Sequence, residues 1–399
     1  MATLTFSEAR QEVLRRVLVP NQIPVESVWL TEAAGRIGAE DVPCDRDMPP
    51  LPRSLRDGFA VRAADLGSDL STGLEIIGEV RAGQMPSQPI RQGTAISIMT
   101  GAVVPDGADQ VVMKEHVEHS GNLIRSARAP NPGEWISPAG SMARAGDIVV
   151  PSGRRIDASA IAMLATIGRS QIRVYRQPVV RILATGDEVV DIARKPNATE
   201  VRNSNSWALA ADVRRFGGRP EILPVAPDQE HITRELIEYG LAADLLLISG
   251  GVSAGDYDFV ETALANLGAD FYFDRVTIQP GQPTVFGRAN GTFFFGLPGN
   301  PLSTMVTFRI FAEAALARLS GVAQPDLLFH RAALHSPYRH KPGFTRFLPG
   351  LLSGGGSEVE ILAWQGSGDI PTLVRANCFV VIDSERETWS AGEFIEVLL

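Results

Sequence analysis

Cysteine is scarce in this 399-residue chain: only Cys44 and Cys378 occur, far apart and outside any CxxC pair. That excludes a disulfide framework and a cysteine-based zinc or redox site, and it fits a reducing compartment, so a cytoplasmic location is expected. No uninterrupted apolar stretch reaches membrane-spanning length, and the opening MATLTFSEARQEVLRRV has no apolar signal-peptide core. Neither a membrane protein nor a secreted one is expected. Positive charge is in deficit, 37 Lys and Arg against 46 Asp and Glu, which argues against a surface that grips nucleic acid as a whole. None of the six histidines falls in an HxxxH pattern, and there is no sequence repeat or extended low-complexity tract. What the chain does have is length and a hydrophobic fraction of 44%, enough for several cores and two to four domains.

Thr5 followed by Glu8 makes a capping-box pattern, and Ala9, Val13, Leu14, Val17 and Leu18 recur at helical spacing, so the chain opens with an amphipathic helix that needs a partner surface. From about Val42 to Ile124 short β-type runs (LEIIGEV, TAISIMT, QVVMKEH) alternate with Gly, Pro and Asp turns. Between Pro178 and Gly321 near-continuous apolar strands alternate with amphipathic helices, the pattern of a parallel sheet covered on both faces. Asn205 and Asp228 are candidate N-caps there, Gly217 and Gly218 stop one helix, and Pro301 suits a first helical position. CFVVID and FIEVLL mark a last β region. The expected fold is therefore multidomain α/β plus β. Residues 1–45 and 138–176 form a discontinuous linker domain, 46–137 a β-rich domain, 177–326 the parallel α/β domain and 327–399 a C-terminal β domain.

Ligands of an open parallel sheet bind outside the carboxyl ends of its strands. Three such ends run into polar or glycine-rich turns: Thr185-Gly186-Asp187-Glu188, the segment from Ser249 through Gly250, Gly251 and Ser253 to Asp258, and Gly296-Leu297-Pro298-Gly299-Asn300-Pro301. Glycines let backbone N–H groups approach an anion, so both glycine turns are candidate cradles for phosphate or another oxyanion, although neither has Walker or Rossmann spacing. Asp187, Glu188, Asp256 and Asp258 are candidate Mg²⁺ ligands, hard oxygens beside anion loops. Each feature also has a plainer reading: a tight turn, a helix cap at Asp228, a turn residue at Asp57, a strand end at Thr100, and cysteines that merely pack.

The ordered motifs SLRDGFAVRAADL, IMTGAVVPDGADQVVMKE, ILATGDEVV, SGGVSAGDYD, PGQPTVFG and GLPGNP resemble the molybdopterin molybdenumtransferase family, which includes bacterial MoeA and the gephyrin E domain. The resemblance runs from Gly35-Arg36 to ANCFVVID. It implies a MogA-like α/β domain, a C-terminal β-barrel-like domain, and a homodimer whose site forms between the α/β domain of one subunit and the β-rich domain of the other. It also implies Mg²⁺-dependent insertion of molybdate into adenylylated molybdopterin with release of AMP, and dealings with the molybdopterin adenylyltransferase and apo-molybdoenzymes. By motif it assigns catalytic positions to Asp57, Thr100, Glu188, Asp228 and Asp258, and substrate contacts to Pro298 and Pro301. Arg275, Gln279 and Gln282 join the anion contacts, but Gln279-Pro280-Gly281-Gln282-Pro283 stands where the family has KPGKP, and neutral amides hold anions less strongly than lysines. Gly140-Ser141-Met142 replaces a Gly-Glu-Asp, with Asp147 a substitute if the loop register shifts, and Arg56 stands where Met is usual. The alternatives are a non-catalytic protein of the same fold and an enzyme of the upstream adenylylation.

Overall fold

The computed structural model describes residues 3–66, 72–126, 128–251 and 259–399. Two compact units divide the chain: Glu40–Ser152 with Ala158–Ser170, and the remainder, which is residues 1–39, 153–157 and 171–399.

The larger unit is built on a six-stranded sheet in the order Arg219–Ile222, Val179–Ala184, Leu245–Ser249, Thr292–Leu297, Val285–Ala289, Asp270–Phe273. The first four strands are mutually parallel, as expected. The last two run antiparallel to their neighbours, for a local reason. Only Asn290 and Gly291 separate Val285–Ala289 from Thr292–Leu297; both have positive φ, 50° and 85°, and a two-residue loop of that kind reverses the chain. Side chains alternate between the faces: Leu245 and Leu247 enter one core with Leu209, Phe295 and Val306, whereas Leu246 and Ile248 enter another with Ile237, Leu264 and Phe294. That is why Leu245–Ser249 is buried at every position.

The amphipathic helix, Phe6–Arg16, has the full capping box: the Glu8 amide donates to the Thr5 hydroxyl and the Thr5 amide to the Glu8 carboxylate. Its partner surface is in the first of those cores, which Ala9, Val13 and Val17 enter, and Arg10 fastens it by donating to the carbonyls of Ile310 and Pro325 at 2.8 and 2.7 Å. The β-barrel expected at the C-terminus is present. Thr345–Leu352, Glu358–Ile361, Phe329–Leu334, Phe394–Leu398 and Cys378–Ile382 pair in turn and close on the first strand. Cys378 is buried in its core, where burial pushes the thiol up to about 11; it packs and does not act as a nucleophile at neutral pH.

The smaller unit carries a six-stranded sheet in the order Gln110–Met113, Gly58–Val61, Thr94–Ile98, Leu74–Val80, Leu123–Arg125, Glu118–Ser120. Gly58 sits where any Cβ would overlap the Val112 carbonyl, so the glycine of the RDGF motif is needed for strand contact. Among the described residues no helix is long and apolar enough to cross a membrane.

Candidate active site

Hydrogen bonds stitch the strand ends of the α/β sheet into one row. The Thr185 amide donates to the Ser249 carbonyl at 3.1 Å, the Gly186 amide to Ala226 at 3.1 Å and the Gly250 amide to Leu297 at 3.0 Å. Asp187, Glu188, Asp228, Gly250, Gly251, Pro298, Gly299, Asn300 and Pro301 are thereby brought to one edge. The Asp228 amide donates to Asp187 Oδ1 at 3.0 Å, joining two of the turns. Asp187 and Glu188 are exposed, and the Glu188 carboxylate folds back over Gly186 (φ 125°), within 2.9 Å of where a Cβ would stand. Gly250 and Gly251 also have positive φ, 94° and 64°. A Cβ on Gly251 would lie 2.6 Å from the Val260 side chain, and one on Gly299 would touch the Gly250 backbone at 3.6 Å, so the two glycine turns meet backbone to backbone. Pro301 opens its helix at the first position, and the Thr304 hydroxyl ties back to the Pro298 carbonyl at 2.5 Å. Ser253, Asp256 and Asp258 lie outside the described residues.

Two residues proposed as helix caps have other roles. The cap of Ser204–Arg215 is Asn203, whose side chain accepts from the Ser206 amide at 3.1 Å. Asn205 instead clamps the row: its Nδ2 donates to Ser249 Oγ at 2.8 Å and to the Gly299 carbonyl at 2.7 Å. Gln229, not Asp228, precedes the helix Glu230–Gly240, leaving the Asp228 carboxylate free of capping. The clamp had no signal in the sequence, because it joins residues 44 and 94 positions away. The Leu302 amide likewise donates to the Ser367 carbonyl at 2.9 Å, bringing a loop of the C-terminal region to the helix start.

Gln279 ends the short strand Ile278–Gln279, Arg275 lies just before that strand, and Gln282 follows it in the turn beside that helix. Gly281 (φ 110°) packs so closely on Thr307 that a Cβ would come within 2.5 Å of it, while Gln279 pairs with Arg346 in a short parallel bridge to the barrel. The side-chain amides of Gln279 and Gln282 make no hydrogen bond among the described residues, and Arg275 is exposed.

In the smaller unit, Asp57 and Thr100 form a pair. Both the amide and the hydroxyl of Thr100 donate to Asp57 Oδ1, at 2.7 and 2.8 Å. The Thr100 amide, its hydroxyl and then the Lys114 charge hold the Asp57 carboxyl below its ordinary value. Thr100→Val removes the hydroxyl donor but keeps the amide, so Asp57 should titrate higher than in the parent protein while remaining below an unperturbed aspartate. Carboxyl-resolved NMR titration checks this, and an unchanged midpoint would assign the shift to the Thr100 amide and the Lys114 charge. The Oδ2 of Asp147, considered as a substitute carboxylate, closes its own turn by accepting from the Arg144 amide at 2.8 Å, and the side chain is exposed.

Among the described residues no group of three or more His, Cys, Asp and Glu forms a ready-made metal cage. The exposed carboxylates of Asp187 and Glu188 still suit Mg²⁺, which takes one or two carboxylates and fills its shell with water and substrate phosphate.

Comparison with known proteins agrees over the whole length. Residues 4–168 match the MoeA N-terminal region (domain I and II), 181–318 a probable molybdopterin binding domain and 331–399 the MoeA C-terminal region (domain IV). The molybdopterin molybdenumtransferase of Haemophilus influenzae is 32% identical over 400 residues, 99% of this chain and 98% of that one. The one from a Nostoc species is 34% identical over 402 residues, covering 96% and 91%. A crystal structure of the molybdopterin biosynthesis MoeA protein from Pyrococcus horikoshii, 28% identical, superposes over all of both chains with a TM-score of 0.81. Three family regions in register, relatives above 30% identity along the entire chain and a shared architecture place this chain in the molybdopterin molybdenumtransferase (MoeA) family of molybdenum cofactor biosynthesis.

Proposed function

We propose that the protein inserts molybdate into adenylylated molybdopterin and releases AMP, with Mg²⁺ as the required cation. The observation that supports this reading is the stitched row: two glycine turns in backbone contact beside exposed Asp187 and Glu188, an arrangement that suits a phosphoanhydride with its cation. Gly250, Gly251, Gly299 and Asn300 present backbone to the anion, and Pro298 and Pro301 shape the turn. Asp187 and Glu188 would hold the Mg²⁺, together with Asp256 and Asp258 in the expected set. Bound there, the cation would neutralise charge on the phosphate oxygens. Asp228, fixed by its amide to Asp187, and the Asp57–Thr100 pair orient the substrate. Arg275, Gln279, Gln282 and Ser253 complete the anion contacts. In the same reading the protein is a cytoplasmic homodimer that receives its substrate from the molybdopterin adenylyltransferase and serves apo-molybdoenzymes.

AMP release from adenylylated molybdopterin, measured with Mg²⁺ and with or without molybdate, tests this. Molybdate-dependent multiple turnover is the expected result; tight binding without release would make the chain a non-catalytic member of the family. Because Gln279 and Gln282 have free amides where lysines are usual, Gln279→Lys with Gln282→Lys should lower the half-saturating molybdate concentration about tenfold, the gain of a charge-assisted over a neutral bond. An unchanged value would remove this turn from molybdate binding.

A further inference from the structure

The backbone at Trp135 is in the left-handed region, φ 58°, which a bulky side chain seldom adopts unless its surroundings hold it there. Here they do. Fully buried Gln110 pins the turn at residues 131–136 from below: its Nε2 donates to Glu134 Oε2 at 2.9 Å and its Oε1 accepts from the Asn131 amide at 2.8 Å. The Val111 amide donates to the Glu134 carbonyl and the Gly133 amide to Asp109. Past the turn, Ile136–Ser137 pairs antiparallel with Arg53–Ser54, and the Leu55 amide donates to the Trp135 carbonyl at 2.9 Å. The indole, half-buried against the core of this unit, is thus a fixed platform alongside residues 54–57.

On it lies Arg56, its guanidinium carbon 4.7 Å from the ring centroid. Arg56 precedes Asp57 yet makes no ion pair with it, and among the described residues its side chain has no hydrogen bond to any group. A guanidinium stacked on an aromatic face keeps its in-plane N–H donors available. Arg53 does not compete, since its Nη1 is committed to the Gly101 carbonyl at 2.8 Å. We propose that Arg56 is an anion-contacting residue for a phosphate-type oxyanion arriving at the Asp57–Thr100 turn, with Trp135 its positioning residue. This rests on the reading of that turn as facing substrate.

The test is equilibrium binding of inorganic pyrophosphate to the full chain by calorimetry at two salt concentrations, beside steady-state AMP release. Arg56→Met should weaken pyrophosphate binding and raise the KM for adenylylated molybdopterin about tenfold, with kcat within twofold, and should flatten the salt dependence. Arg56→Lys should recover part of the loss, and Trp135→Leu should reproduce it whereas Trp135→Phe, which keeps a ring, should not. Thermal unfolding shows whether the Trp135 variants fold; Arg56, being exposed, carries the test if they do not. Pyrophosphate binding that is absent, or unaltered by Arg56→Met, overturns the proposal. Salt-sensitive binding lost in Arg56→Met with no turnover by the parent chain would instead sustain it and defeat the transferase reading.

Discussion

Glu188→Gln should cut AMP release by about a hundredfold or more while leaving the thermal midpoint almost unchanged, because it removes one carboxylate charge where a cation would bridge to phosphate, an effect of several kcal/mol on the barrier. The side chain is exposed and its carboxylate rests over Gly186 without a buried partner, so stability should move by no more than ~0.5 kcal/mol. Raised Mg²⁺ should recover part of the rate if the loss lies in cation affinity. A variant that turns over like its parent would remove Glu188 from the metal site, and one that unfolds would make its role structural.

The second large effect is expected at Asn205, which touches no substrate in the proposed reading. Asn205→Ala breaks the bonds to Ser249 Oγ and to the Gly299 carbonyl, and so removes the side-chain clamp between the two glycine turns, leaving the Gly250 amide bond to Leu297 to hold them. Leaving buried Ser249 with an unmet partner should cost about 1–3 kcal/mol. Displacing a cradle by an ångström is enough to lower turnover about a hundredfold. The control is two residues away on the same helix: Asn203→Ala removes the true N-cap and should cost about 1 kcal/mol without the rate loss. Equal rate losses in both variants, measured by AMP release alongside urea unfolding, would show that general loosening of the helix accounts for the effect.

Much of the molecule is legible in the sequence wherever the signal is local. Thr5 and Glu8 are three residues apart and announce their helix; Leu245–Ser249 is a run that only a strand buried on both faces can use; glycine turns after such strands point to the ligand edge. The antiparallel edge was also written locally, in Asn290-Gly291, a hairpin signal outweighed by the parallel pattern around it. The role of Asn205 is hidden for a different reason. A lone Asn before a helical run reads as a cap, and nothing within its own turn distinguishes capping the helix from reaching a strand end in another part of the chain.

By itself, then, the sequence determined the element types, the layered architecture and which turns carry glycine and carboxylate, since these depend on periodicity and backbone freedom within a few residues. Only the tertiary structure decided that Asn205 holds Ser249 to Gly299, that Asp147 accepts from the Arg144 amide within its own turn, and that Arg56 lies on Trp135 and not on Asp57. Each of those outcomes is a choice among partners for a polar side chain. Such choices are settled by which groups the folded backbone brings within about five ångströms, a distance that sequence separation does not encode.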